Sequence, residues 1–204
     1  MKPFVFFLTA FTSFNLISCK KAPELSITIV NFENVDAEKI QYVKSLLKDT
    51  FKIGRVEVVL VKLPDETYYK PRNRYRADKL IRYLNDHFDS DKVIGLTDKD
   101  ISTTSGNRKD WGIMGLASRP GKSCVVSTFR TFRGAKSKEL KNERLKKVAL
   151  HEFGHTFGLP HCENSETCLM RDANGKVATV DEAKYFCSKC RNQIQKFLRN
   201  VNNG

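Results

Sequence analysis

Leu25–Val30 (Leu-Ser-Ile-Thr-Ile-Val) alternates apolar and polar positions and is rich in β-branched residues, the period-two signature of a strand. From Asp36 to about Lys52, the residues Ile40, Val43, Leu46 and Leu47 recur at helical spacing and predict an amphipathic helix. Arg55–Val61 alternates again, a second strand. Between Arg74 and Phe88, the residues Ala77, Leu80, Ile81 and Leu84 share one helical face. Val93–Leu96, Ile113–Ala117 and Cys124–Thr128 read as three further strands, and Ser137–His155 and Asp181–Arg199 as two more helices. Ser102–Asn107 (Ser-Thr-Thr-Ser-Gly-Asn) reads as a loop. Strand-helix-strand-helix, a run of strands and two closing helices predict an α+β domain in which helices pack on a mixed sheet.

The first residues follow a different pattern. Met1-Lys2 is a short positive start, Pro3–Phe14 is apolar, and Leu16-Ile17-Ser18-Cys19 precedes an abrupt change to Lys20-Lys21. A charged start, a short apolar run and a small residue before the cut describe an export signal. The Leu-Ile-Ser-Cys ending resembles a bacterial lipobox, which implies acylation of Cys19. The expected organisation is a signal peptide over 1–18, an anchor and linker over 19–24, and one folded domain over 25–204. An exported, membrane-anchored lipoprotein is the matching expectation for location.

Composition narrows the classes. With 204 residues, 40% hydrophobic and 29% charged, the chain can bury a core without staples. No stretch reaches the 18 apolar residues of a spanning helix, which excludes a polytopic membrane protein. The formal net charge is +13. The basic residues are scattered and no nucleic-acid motif accompanies them, so a nucleic-acid partner is not expected. A basic domain on a lipid tether is drawn to anionic headgroups or acidic polymers instead.

Candidate chemistry is concentrated in one stretch, His151-Glu152-Phe153-Gly154-His155-Thr156-Phe157-Gly158-Leu159-Pro160-His161. His151 and His155 are four apart, so on a helix both rings project from one face, a spacing that suits two imidazoles on one Zn²⁺. Gly158 can end the helix in the left-handed conformation and Pro160 forbids its continuation, so the chain turns back and His161 can be a third ligand. Three protein ligands leave a tetrahedral ion one open position, the mark of a catalytic site. Glu152 is placed to act as general base on a water there. Three unrelated histidines at a helix end would not need Glu152, Gly158 and His161 in register.

Four of the six cysteines follow directly: Cys162, Cys168, Cys187 and Cys190. Cys187 and Cys190 fall three apart on the predicted last helix, whose start Thr179 and Glu182 can cap. Ala183, Phe186, Cys187, Cys190, Ile194 and Phe197 form its inward stripe. Two pairs meeting there would make a closed four-thiolate Zn²⁺ site. Two disulfides compete with that reading in an exported protein. Cys124, on a strand, is expected to be a buried hydrophobe.

The pattern His-Glu-x-x-His-x-x-Gly-x-x-His, followed by Cys162, Cys168-x-Met170 and Cys187-x-x-Cys190, resembles the archaemetzincins, a branch of the metzincin metalloproteases. Gly95–Ile101, Gly115–Ala117 and Val125–Thr128 are similar to that family too. The cysteine spacing is one residue longer than the family pattern before Cys168 and one shorter after Met170. The resemblance implies a zincin-type α+β fold with an active-site helix and a C-terminal helix. It implies a catalytic zinc on His151, His155 and His161 with Glu152 as base, and Met170 as the Met-turn residue beneath the imidazoles. The four cysteines become a second, structural zinc site, and a strand near Ile113–Ala117 becomes the edge that pairs with an extended substrate. The implied function is a zinc metallopeptidase, a monomer acting on peptide or protein. The alternatives are a zinc-stabilised binding or scaffold protein that hydrolyses nothing, and a hydrolase of a non-peptide amide. His87, Trp111, Tyr185 and the pair Asp98 and Asp100 could each line the cleft, but are expected instead to be a helix end, a core aromatic, a helix face and turn or cap residues.

Overall fold

The computed structural model describes residues 25–33 and 35–203. The segment read as an export signal and Cys19 lie outside them. A five-stranded sheet runs in the order β2-β1-β5-β9-β8, built from β1 (Ser26–Phe32), β2 (Arg55–Val61), β5 (Lys92–Thr97), β8 (Gly115–Ala117) and β9 (Ser123–Ser127). The first four strands are parallel, and β8 is antiparallel and, among the described residues, paired only with β9 at the sheet's edge. Parallel strands are buried on both faces, which is why β5 and β9 are buried along their whole length.

Alternation sorts the side chains between two cores. Ile27, Ile29, Ile94, Leu96, Cys124 and Val126 point to one face, against α1 (Ala37–Phe51) and α4 (Lys138–Thr156). Val30, Phe32, Val93 and Val125 point to the other, against α2 (Ala77–His87). Gly95 is the close approach on that second face: a Cβ there would lie 2.6 Å from the Phe32 ring. Cys124 is fully buried among apolar side chains, as expected of it.

A second sheet, in the order β3-β4-β6-β7, lies between β2 and β8 in sequence. It comprises β3 (Tyr68–Tyr69), β4 (Arg74–Arg76), β6 (Ile101–Ser105) and β7 (Arg108–Ile113). The stretch read as a loop, Ser102–Asn107, is instead most of strand β6 and its hairpin turn, with Gly106 at φ +54°. A run of Ser and Thr gives no apolar alternation, so only the Gly-Asn turn and the β-branched threonines marked it. Asp100 is the hub of this sheet rather than a simple turn residue. It takes Arg74 Nε at 2.7 Å and Arg130 at 2.6 and 2.9 Å, while Arg74 also reaches Asp110 at 2.8 Å. Arg130 belongs to α3 (Thr128–Thr131).

The closing helix also differs from expectation. Residues 177–182 form the short α5 (Val177–Glu182), and α6 begins at Ser188 and runs to Asn203. Thr179 and Glu182 sit inside α5 and cap nothing; the N-cap of α5 is Lys176. Residues 183–187 are extended because they pair with the chain around Cys168: Lys184 N–H donates to Thr167 O and Leu169 N–H to Tyr185 O. Cys187 therefore precedes α6 and only Cys190 lies on it. Both thiols still face inward.

Candidate active site and thiol cluster

α4 opens at Ser137, whose hydroxyl accepts from Leu140 N–H at 3.1 Å, and buries Leu145, Val148, Ala149 and Phe153 against the first core. Its last turn carries His151, Glu152 and His155. The helix stops where the sequence says it must: Phe157 and Gly158 N–H bond back into the last turn, and Gly158 adopts φ +88°. Lys92, buried at the start of β5, donates to Thr156 O at 2.8 Å and to Gly121 O at 2.6 Å. Its ammonium thus caps the helix's negative end and ties it to the β8–β9 turn. The chain then reverses and brings His161 to within 4.9 and 5.4 Å, ring centre to ring centre, of His155 and His151.

Each histidine is oriented from behind. His151 Nδ1 lies 2.6 Å from Leu169 O, and His155 Nδ1 lies 2.6 Å from Leu159 O. A carbonyl only accepts, so both Nδ1 atoms carry the proton and both Nε2 atoms present lone pairs. Those two Nε2 atoms are 3.1 Å apart. His161 Nδ1 faces the Asp172 carboxylate at 3.4 Å. Burial, with repulsion from His155, lowers His151 to about 4; burial, with the charge of His161, lowers His155 to about 4. Two neutral imidazoles aiming lone pairs at one point call for a cation between them. Zn–N bonds of about 2.0–2.1 Å at tetrahedral angles place nitrogens about 3.4 Å apart, close to what is found. Sequence reasoning did not find Asp172, Leu159 and Leu169 as orienting partners. Two of them act through backbone oxygens, which carry no side-chain signal.

Glu152 is buried beside this point, and burial, with the charge of Asp172, pushes its carboxyl up to about 8. A neighbouring cation returns such a group to its basic form. Glu152 also lies against the edge strand: a Cβ on Gly115 would be 2.7 Å from its Oε1. The cleft over these residues, about 490 Å³, is lined by β8, the three histidines, Glu152, Asp172 and Trp111. Trp111 is therefore a cleft residue and not a core aromatic, and Arg108 stacks on it at 4.6 Å. His87 stacks on Tyr83 at the end of α2, away from the cleft. Tyr185 is 54% exposed and lines another surface.

Met170 is fully buried beneath α4. A Cβ on Gly154 would lie 2.7 Å from its Sδ, and its carbonyl accepts from Cys162 N–H at 2.8 Å.

The four cysteines converge below. Cys162 and Cys187 Sγ are 3.6 Å apart, Cys168 and Cys190 are 3.8 Å apart, and all four sulfurs lie within 4.8 Å of one another. A disulfide needs about 2.05 Å, whereas Zn–S bonds of about 2.3 Å at tetrahedral angles place sulfurs about 3.8 Å apart. Asn164 Nδ2 donates to Cys162 Sγ and Cys187 N–H to Cys168 Sγ, both at 3.4 Å. Burial works against the Cys162 thiolate, yet hydrogen bonds from Asn164, Cys187 and Cys190 together bring it down to about 7.

An orienting shell behind three convergent imidazoles, a buried acid beside them and a free sheet edge along the cleft are the apparatus of zinc metallopeptidases of the metzincin type. The sequence model of Peptidase family M54 matches residues 23–196, and the chain belongs to that family. It is 33% identical over 177 residues to an archaemetzincin of Nanoarchaeum equitans, covering 86% of this chain and 89% of that one. The crystal structure of the archaemetzincin from Methanopyrus kandleri superposes with a TM-score of 0.75 at 28% identity, over 90% of this chain and 99% of that one. The archaemetzincin from Archaeoglobus fulgidus, crystallised with malonate, superposes with a TM-score of 0.70 at 29% identity, over 83% and 99%. Zinc and peptide hydrolysis come with that family.

Proposed function

We propose that Glu152 is the general base of peptide hydrolysis and that His151, His155 and His161 hold the catalytic zinc. The observation that carries this is the buried Glu152 carboxylate, placed between the three imidazoles and the edge strand β8. Zinc, when bound, supplies a Lewis acid that acidifies water and polarises a carbonyl. Among the described residues β8 is paired on one side only, so an extended peptide can add to its free edge as an antiparallel strand. Glu152 then takes the proton of the attacking water and delivers it to the leaving amine nitrogen. Leu169 O, Leu159 O and Asp172 hold the three rings in place throughout.

We further propose that Cys162, Cys168, Cys187 and Cys190 hold a second, structural zinc, a reading supported by their near-tetrahedral sulfur spacing. The organisation read from the sequence is carried forward with it: a signal over 1–18, acylation at Cys19, a linker over 19–24, and a monomeric exported domain held at a membrane. Among the described residues no helix is long and apolar enough to cross one.

The test presents the zinc-loaded chain with a mixed peptide pool and follows cleavage by mass spectrometry. Glu152→Gln is expected to lower kcat by about 10² to 10⁴, the range of a positioned base, with zinc content unchanged. Equal cleavage by both would sink the assignment, and cleavage by neither would favour a binding protein or a non-peptide amide as substrate.

A further inference from the structure

Outside the catalytic cleft, α1, α4, α6 and the segment 184–186 line a second depression of about 770 Å³. Its walls are apolar: Leu46, Phe51, Ile53, Leu150, Ile194 and Leu198. Its rim is cationic, with Lys52, Lys146, Lys184 and Arg191, and among the described residues no Asp or Glu lines it. Tyr185 stands beside it with half its surface exposed. None of these groups takes part in the chemistry described above.

Leu25 forms part of the same wall and is where the described chain begins. Cys19 is six residues upstream, so a fully extended tether reaches at most about 20 Å. Acyl chains on Cys19 would hold this wall, rather than the opposite side of the domain, against the bilayer. Apolar walls, an amphipathic tyrosine and a one-signed basic rim are what an anionic membrane surface selects.

We infer that this groove is the face with which the domain seats on an anionic lipid bilayer. The inference rests on the anchoring reading for the direction of the tether, and its lipid contacts are the domain's own. The face meets headgroup phosphates with Lys52, Lys184 and Arg191 and lets Tyr185 enter the interface. Lys146 contributes less, since it is paired with Glu143 at 2.7 Å.

The family model matches residues 23–196 and the described fold begins at Leu25, so residues 20–204 contain the domain. Residues 20–204 are therefore tested unacylated, by flotation with vesicles of phosphatidylglycerol and phosphatidylcholine, against phosphatidylcholine alone. Binding is expected only with the anionic vesicles. Combining Lys52→Glu, Lys184→Glu and Arg191→Glu is expected to weaken it about tenfold or more, given the usual contribution of each basic group near a charged surface. Tyr185→Ser weakens it without any change of charge. Lys62→Glu, Lys70→Glu and Lys109→Glu, which change the charge equally away from the groove, are the control.

Equal weakening by both triple variants, or no binding to anionic vesicles, overturns the proposal. So does a dimer in sedimentation that the groove variant abolishes, which makes a second copy the occupant. The anchor is read separately, by fatty-acid labelling of the full chain and of Cys19→Ala. Absent labelling with vesicle binding intact removes the anchor and leaves the face.

Discussion

Gly115 shows how a single missing Cβ serves a carboxylate. Any side chain there would meet Glu152 at Cγ, Cδ and Oε1 within 2.7 Å, so the buried acid can approach the sheet edge only because this residue is glycine. Its φ is unremarkable, so conformational freedom is not the reason for it. Gly115→Ala is expected to displace the carboxylate and lower kcat by roughly tenfold to a hundredfold, the usual cost of misplacing a catalytic group by about 1 Å. Zinc content should be unchanged, and a comparison of kcat and bound zinc checks this. The residue was legible as part of a strand, but its role was not, because only the packed helix shows what lies above it.

At the scale of elements, α4 is held to α5 by a fork. Arg144 Nε and one terminal nitrogen each meet an Asp181 oxygen at 2.7 Å, and its other nitrogen donates to Arg133 O at 2.8 Å. The Arg144 hydrogen bonds and charge lower the Asp181 carboxyl from its ordinary value. The native state therefore binds this proton less readily than the unfolded chain, so stability falls on acidification. The pair's contribution is complete above the unfolded carboxyl value near 3.9 and is lost as pH falls through the lower folded one. Asp181→Asn is expected to cost about 2 kcal/mol at neutral pH, and the gap between parent and variant in urea midpoint should close below pH 4. The sequence placed Asp181 at the start of a long helix. In the structure α5 ends at Glu182, because the chain beyond it is needed as an extended partner for the Cys168 segment.

Across the whole molecule the proposed reading gives the two donor clusters different tasks. The thiols are buried and join the loop after the active-site helix to the C-terminal helix, whereas His161 is 45% exposed at the cleft. Cys190→Ser is expected to lower bound zinc from two to one and to destabilise the fold by about 4 kcal/mol or more, the scale of losing a structural metal. His161→Ala is expected to lower bound zinc by the same amount with little change in melting temperature. Zinc analysis with calorimetry distinguishes the two, and equal melting temperatures would remove the structural role from the thiols.

Periodicity and spacing determined a good deal of this protein by themselves. Most strands of the main sheet, the active-site helix with its stop at Gly158, and the three histidines and four cysteines that the fold brings together were legible because helical period, strand alternation and glycine conformation are local rules. The four-stranded second sheet was not, since its strands are short and polar and are held by the arginines around Asp100 and Asp110 rather than by an apolar stripe. The cleft position of Trp111, the Nδ1 acceptors behind the histidines and the fit of Gly115 to Glu152 were decided only by tertiary structure. Each is a contact between residues distant in sequence, and the pattern of one segment holds no record of which backbone oxygen or sheet edge will pack against it.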